Sequence, residues 1–449
     1  MLSLLLLFAC TDTTPGDTAL ATTPQAPWPQ WIHEHWVWED ESTQESALAL
    51  VDGYLSRDVP VGAIIIDSPW ATGYNTFEWD PVSFPDPVGM IDTLHEQGVR
   101  VFLWIVPAIN VDEEALYAYA AERDWFMRRS ADDTEPEVID WWKGEGSLID
   151  YWNPEALAWW HGLMDQVLDM GIDGWKCDGL DYSSVFAPYS PAAGRKVERL
   201  EYSHAYYQDM HDYTREVLGD DRVNTTRPID NYGGDLGGDL VAFTPVEIAW
   251  AAWVGDQDAT FEGLQAALLN FWWSSDYGYV SYGSDIGGYR EDSTFGSIGR
   301  GPELFTRWAQ LGAFNPIMEN GGGGNHEPWI VGDETTLAIY KRFVDLHHEL
   351  IPYLMTHGGA AFDAGESLMH FLTKDDFTYL LGPDLFVAPM IESGTERTLS
   401  FPAGDDWVYL FDQDRSYGGG TTETLEIPLA EFPVFLRAGS DLEASGFGQ

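Results

Sequence analysis

The strongest constraint in this sequence is a repeated short run that is apolar on both faces and ends on a charged side chain. Val61–Asp67, reading Val-Gly-Ala-Ile-Ile-Ile-Asp, is the plainest case. Side chains alternate along a strand, so a run without polar positions is buried on both faces, as in a parallel sheet covered by helices. Asp178, Arg227, Asp256, Asp285 and Glu319 close or follow further runs in the same way. Between them lie segments with apolar residues at helical spacing: Ser42–Leu55, Val88–Gln97, Glu155–Met170, Ala192–Leu218, Thr260–Phe271, Pro302–Ala313 and Glu334–Tyr353. Asn153 and Pro154 read as the N-cap and first residue of one such helix. The strands are then Trp31–Trp38, Val61–Asp67, Val99–Pro107, Asp173–Asp178, Arg222–Arg227, Glu247–Asp256, Tyr277–Asp285 and Phe314–Met318. This alternation predicts an α/β fold, a (β/α)8 TIM barrel over residues 28–358. Active sites of such barrels sit at the C-terminal strand ends, which is where the closing charges fall. A doubly wound open sheet is the alternative, but no Gly-rich phosphate loop opens a first helix.

After Gly358 the runs shorten and are separated by Gly/Asp turns, which predicts a small C-terminal all-β domain over residues 359–449. At the other end, Met1–Cys10 is a short apolar run closing on Ala9 and Cys10. It resembles a lipoprotein-type signal, with Cys10 as the lipidated residue, although no Lys or Arg precedes it. Residues 11–27, rich in Thr, Pro and Ala, read as a flexible tether. The expectation is an exported protein held at a bacterial cell envelope by the lipid anchor alone. Cys177 is the only other cysteine, so no disulfide is expected.

The 449 residues carry 74 acidic and 22 basic side chains, a formal charge of −52, which repels nucleic acid and anionic polymers. A neutral substrate is the simplest inference, and the even spread of acids also suits solubility in a salty environment. Aromatic residues make up 14% of the chain, and Trp and Tyr suit the faces of sugars. No cofactor or metal is expected: His33-Glu34-His35 reads as two His on one strand face without a third ligand.

Chemistry is expected first at Gly171–Gly179, where Lys176 and Asp178 share one strand face and Cys177 takes the other. A cation two residues before a carboxylate holds it ionised, or forms a structural ion pair. In chain order, Phe84-Pro85-Asp86-Pro87 after Asp67, Asp150-Tyr151-Trp152-Asn153-Pro154, Lys176-Cys177-Asp178, Trp253-Val254-Gly255-Asp256, Ser284-Asp285-Ile286-Gly287-Gly288-Tyr289, Arg307-Trp308-Ala309-Gln310 and Glu327-Pro328-Trp329 resemble blocks of glycoside hydrolase family 31, the α-glucosidase and α-xylosidase family. The likeness runs from about Pro27 to Leu442.

The resemblance implies a retaining α-glycoside hydrolase acting on α-linked carbohydrate. Asp178 is then the nucleophile and Asp256 the general acid/base, protonated at rest by burial near Trp253 and neighbouring carboxylates. Asp67, Lys176, Arg227, Trp253 and Asp285 are implied sugar-site residues, against ion pairing or strand-end capping as the plainer alternative. Trp104 is a stacking platform or barrel core. The family's Arg-x-His after the last strand is replaced here by Glu319-Asn320-Gly321, and His326 is the candidate to fold back into that space. These departures keep two further readings open: a carbohydrate-binding surface protein on a degenerate barrel, and an α-transglycosylase.

Overall fold

The computed structural model describes residues 26–179, 188–234, 241–291 and 300–448. Cys10 and nearly all of the signal and tether segments lie outside the described residues, as does Asp181, beside the Asp178 turn. Eight parallel strands form the central sheet: β1 (His35–Glu39), β2 (Ala63–Ile66), β3 (Arg100–Ile105), β4 (Gly174–Cys177), β5 (Thr225–Thr226), β6 (Ala251–Val254), β7 (Tyr282–Ser284) and β8 (Met318–Asn320). Their order is β7-β6-β5-β4-β3-β2-β1-β8. A parallel bridge between Asp285 and Glu319, with Ile286 N donating to Glu319 O at 3.1 Å, joins the two edges and closes the barrel. The expected (β/α)8 barrel is thus what the chain forms, with a C-terminal all-β domain after it.

The two-sided burial read from β2 divides cleanly between two cores. Ala63 and Ile65 face inward and pack with Trp36, Trp38 and Phe102 inside the barrel. Ile64 and Ile66 face outward and join the larger cluster under the helices. The first helix, Gln44–Leu55, is capped by Thr43 in a reciprocal box with Ser46. Asn153 caps Pro154–Leu168 by accepting from Glu155 N and Ala156 N, with Pro154 at the position expected for it.

Several elements differ from the sequence expectation for identifiable reasons. Trp31 and His33 belong to a 3-10 turn, Gln30–His33, and β1 begins only at His35. The two His do not share a site: His33 bonds Trp28 Nε1 and Pro316 O, whereas His35 bonds Pro60 O and Tyr340 Oη. β8 starts where its predicted run ends, because Pro316 has no N–H to give to a ladder. Phe314 instead stacks on Phe432 of the C-terminal domain. β5 is followed by no α-helix among the described residues before β6; Ile229–Asp230 pairs antiparallel with Val241–Ala242, with short 3-10 turns at Tyr232–Gly234 and Val246–Ile248. The helix expected to begin at Ala192 begins at Arg199, after a hairpin of Tyr189–Ser190 with Arg195–Lys196. The last barrel helix runs from Glu334 to Ala364, straight through Pro352, and stops at Gly365 in the left-handed conformation (φ 68°).

In the C-terminal domain a six-stranded antiparallel sheet is built on Leu385–Val387 and Val434–Arg437, and Glu396–Ser400 pairs with Thr422–Glu426. Its attachment to the barrel centres on Arg307, a buried guanidinium on helix Pro302–Gly312. Arg307 donates to the carbonyls of Ile427 (2.9 Å) and Glu431 (2.8 Å), and Gln310 donates to Leu429 O (2.6 Å). Replacing Arg307 by Leu strands the Ile427 and Glu431 carbonyls without its donors. The expected cost is about 2–5 kcal/mol, read as a lowered urea midpoint; an unchanged midpoint would show that the attachment lies elsewhere.

Candidate active site

The C-terminal ends of the strands surround a cavity of about 300 Å³. It is lined by residues expected from the sequence, Asp67, Trp104, Lys176, Asp178, Arg227, Trp253, Asp256 and Asp285, and by others that were not. Each expected residue sits at or just past a strand end: Asp67 after β2, Trp104 in β3, Lys176 and Asp178 at β4, Arg227 after β5, Asp256 after β6 and Asp285 after β7.

Arg227 is the hub. It is 2% exposed and lies between the rings of Tyr232 (4.1 Å) and Trp253 (4.7 Å). Its Nε donates to Asp178 Oδ1 and its Nη2 to Asp256 Oδ1, each at 2.7 Å. Its Nη1 donates to Asp230 Oδ2 at 2.5 Å. A guanidinium fork commonly takes both oxygens of one carboxylate; here each donor takes a different one. Asp178 also accepts from Gly179 N (2.8 Å) and Trp104 Nε1 (3.2 Å). Trp104 is therefore a hydrogen-bond donor to the Asp178 carboxylate.

Lys176 does not pair with Asp178, contrary to the expectation from their spacing. Its Nζ donates to Asp67 Oδ2 at 2.8 Å and lies 3.4 Å from the centre of the Trp38 ring. Burial works against the ammonium, but Asp67, Glu319 and Asp285 outweigh it and hold Lys176 above its ordinary range. Asp178 takes its counter-charge from Arg227 instead.

The protonation pattern also departs from expectation. Burial pushes the Asp256 carboxyl up, yet the charge and hydrogen bond of Arg227, with Arg290 and Lys176 behind, hold it below its ordinary value. The carboxyl pushed well up is Asp285. Burial dominates there, and the charges of Glu319 and Asp256 add to it against the pull of Lys176. Asp285 Oδ2 accepts from Asp256 N at 3.1 Å, while its Oδ1 has no hydrogen-bond partner among the described residues. Asp256 itself has φ 70°, a left-handed conformation that Asp tolerates better than most residues.

His326 is not brought to the cavity. It is buried outside β8, with Nδ1 on Gly324 O at 3.2 Å and its carbonyl accepting from Asn320 Nδ2. The space above Gly321 is filled by Trp38. A Cβ on Gly321 would lie 2.3 Å from Trp38 Cγ and Cδ1. Trp38 thus has Gly321 and Lys176 against it, and it stacks on Tyr289 at 5.9 Å.

Sequence reasoning passed over Trp38, Asp40, Ser68, Tyr232 and Tyr289, all cavity-lining. Asp40 follows β1 as Asp67 follows β2, and that signal was available. Burial and the neighbouring Asp67 charge push Asp40 up to about 6, and Tyr289 Oη donates to it at 3.0 Å. Trp142 and Lys143 reach the cavity from the tip of the Ile139–Leu148 hairpin, whose position no sequence pattern gives.

Two family models match this chain: the glycosyl hydrolases family 31 TIM-barrel domain over residues 25–357 and the glycosyl hydrolase family 31 C-terminal domain over residues 366–441. Curated relatives include Alpha-glucosidase 2 of Bacillus thermoamyloliquefaciens, 25% identical over 89% of this chain and 51% of its own length. An alpha-xylosidase of Emericella nidulans is 24% identical over 92% of this chain and 53% of its own. The chain thus spans about half the length of these curated relatives. Among solved structures, an alpha-xylosidase from a soil metagenome, complexed with xylose, superposes with a TM-score of 0.78 at 24% identity, covering 95% of this chain and 65% of that one. With the barrel, the C-terminal domain and the ordered blocks all in place, the chain belongs to glycoside hydrolase family 31.

Proposed function

We propose that this protein is a retaining α-glycoside hydrolase that releases a terminal sugar by double displacement, with Asp178 as nucleophile and Asp256 as general acid/base. The observation that carries the reading is the shared guanidinium: Arg227 binds one oxygen of each carboxylate at the mouth of the barrel. Retention needs two carboxyls about 5–5.5 Å apart, close enough for one to attack the anomeric carbon as the other protonates the leaving oxygen. A single planar cation spanning both supports such spacing.

The same bridge suggests how charge is handled through the cycle. At rest Arg227 holds Asp256 ionised and donates to Asp178 as well. A sugar hydroxyl that takes the Nη2 donor removes the bond holding Asp256 charged, so Asp256 can take up a proton from solvent as the sugar binds and pass it to the departing oxygen. Once Asp178 is esterified it is neutral, and Arg227 again stabilises the Asp256 anion that draws a proton from water. Asp67, Asp40 and Lys176 would hold sugar hydroxyls, and the closed bonding of Lys176 with Asp67 favours a neutral sugar. The binding-only reading drew on Glu319 and Gly321. Trp38 over Gly321 weakens that support, because the space is filled and not vacant.

Incubating the protein with a panel of aryl α-glycosides should show turnover, with the α-anomer released first by proton NMR. Asp178→Asn should fall to background and Asp256→Asn by about 10²–10⁴-fold. No turnover of any α-glycoside, or full activity in both variants, would reject the hydrolase; binding without turnover would favour the carbohydrate-binding reading, and sugar transfer in place of hydrolysis the transglycosylase.

Trp38 is read as the wall of the sugar site on the β1–β8 side. Gly321→Ala should displace it, costing about 1–3 kcal/mol in stability and raising KM. In a double-mutant cycle with Trp38→Phe the two changes should couple by about 0.5–3 kcal/mol; strict additivity would detach Trp38 from Gly321.

The lipoprotein-like run Met1–Cys10 supports export with a lipid anchor at Cys10. In a bacterial host fed tritiated palmitate, the full chain should take up label and Cys10→Ser should not; label in neither would remove the anchor.

A further inference from the structure

The segment after β5 carries a third carboxylate that the two-carboxylate mechanism does not use. Asp230 is fully buried and bonded on both oxygens. Oδ1 accepts from Asn231 N (2.7 Å), Tyr232 N (3.1 Å) and Asn270 Nδ2 (3.0 Å). Oδ2 accepts from Arg227 Nη1 and from Gly255 N (3.2 Å), the amide just before Asp256. The turn that follows is fitted to the same place: a Cβ on Gly233 would lie 2.1 Å from the Asp256 carbonyl oxygen.

From this geometry we propose that Asp230 is a positioning residue for glycoside cleavage, fixing Arg227 and the Gly255–Asp256 turn together and drawing off part of the guanidinium charge so that Asp256 can be protonated. Two consequences separate this role from plain structural support. Asp230 does not itself line the cavity, so it acts through the residues it holds, Arg227, Tyr232 and Gly255. Its negative charge opposes the hold of Arg227 on Asp178 and Asp256 alike. The other charged groups acting on Asp256 are Arg227, Arg290, Lys176 and Asp285, from the β4, β5 and β7 ends and the loop after β7. Those facing Asp230 are Arg227 and Asp256. Burial raises the Asp230 carboxyl to about 6, so its charge is present at neutral pH; removing that charge leaves Arg227 less neutralised there, which stabilises the Asp256 anion and makes Asp256 harder to protonate.

The proposal rests on the reading of Asp178 and Asp256 as the catalytic pair. The test uses the full chain and Asp230→Asn, with Asp230→Ser as the smaller variant where Asn does not fold, folding being checked by circular dichroism. The alkaline limb of kcat/KM against pH on an aryl α-glycoside, which reports the protonated acid, should move to lower pH by about one unit. The kcat should fall more than tenfold for a poor leaving group that needs the acid. It should change little for a glycosyl fluoride, which does not. An unmoved alkaline limb in a folded variant, or equal loss with both leaving groups, would overturn the role. If the wild type turns over no α-glycoside, the hydrolase reading fails on its own, and Asp230 is still read by titrating γ-13C-labelled Asp. The carboxyl resonance absent from Asp256→Asn should titrate about one unit lower in Asp230→Asn, and an unmoved midpoint would overturn the proposal.

Discussion

A single buried cation sets the arrangement at the mouth of this barrel. Arg227 is enclosed by two aromatic rings and bonded to three carboxylates from three segments of chain. Isolated, it would be costly to bury, and so would each of its partners. Together they satisfy one another, and the satisfaction fixes where each stands. β4, β5 and β6 are therefore tied at their C-terminal ends by side-chain charge as well as by backbone hydrogen bonds. Lys176 plays the corresponding part on the other side, joining β4 to Asp67 after β2 and lying over Trp38 of β1. The two cations thus take different acids: Arg227 bonds Asp178, Asp230 and Asp256, and Lys176 bonds Asp67.

That division explains why the sequence was readable in outline and misleading in detail. The alternation of buried strands and amphipathic helices sufficed for the barrel, because burial on both faces leaves few other architectures. The strand-end charges sufficed for most of the site, because a barrel gathers those ends in one place. Pairing was another matter. Lys176 and Asp178 share a strand face and are two residues apart, yet each is bonded to a partner on another strand. Linear proximity names the face a side chain takes and says nothing of what lies across the barrel.

The remaining misreadings have the same origin. Apolar Phe314 and Ile317 suggest a strand that starts before β8 does, but Pro316 between them has no amide to give to a ladder. Gly321 read as a loss until its space was found occupied by Trp38, 283 positions earlier in the chain. Asp230 was not singled out at all. A lone Asp in a Gly-rich stretch looks like turn material, and only the fold shows five donors converging on it.

The helix Glu334–Ala364 has 31 residues, a rod of about 46 Å at the usual rise. Its first turns pack beside helix Pro302–Gly312 and its last lead directly into the strand Met369–Phe371. Near Gly358 the rod lies so close to Trp28 that an added Cβ would stand 3.1 Å from that ring. Trp28 precedes β1, so the opening of the barrel and the start of the C-terminal sheet are seated on one continuous beam. A chimera that exchanges C-terminal domains between relatives would have to keep this beam whole and make its splice beyond Gly365, since a joint within it would unseat Trp28 and the approach to β1 together with the C-terminal sheet.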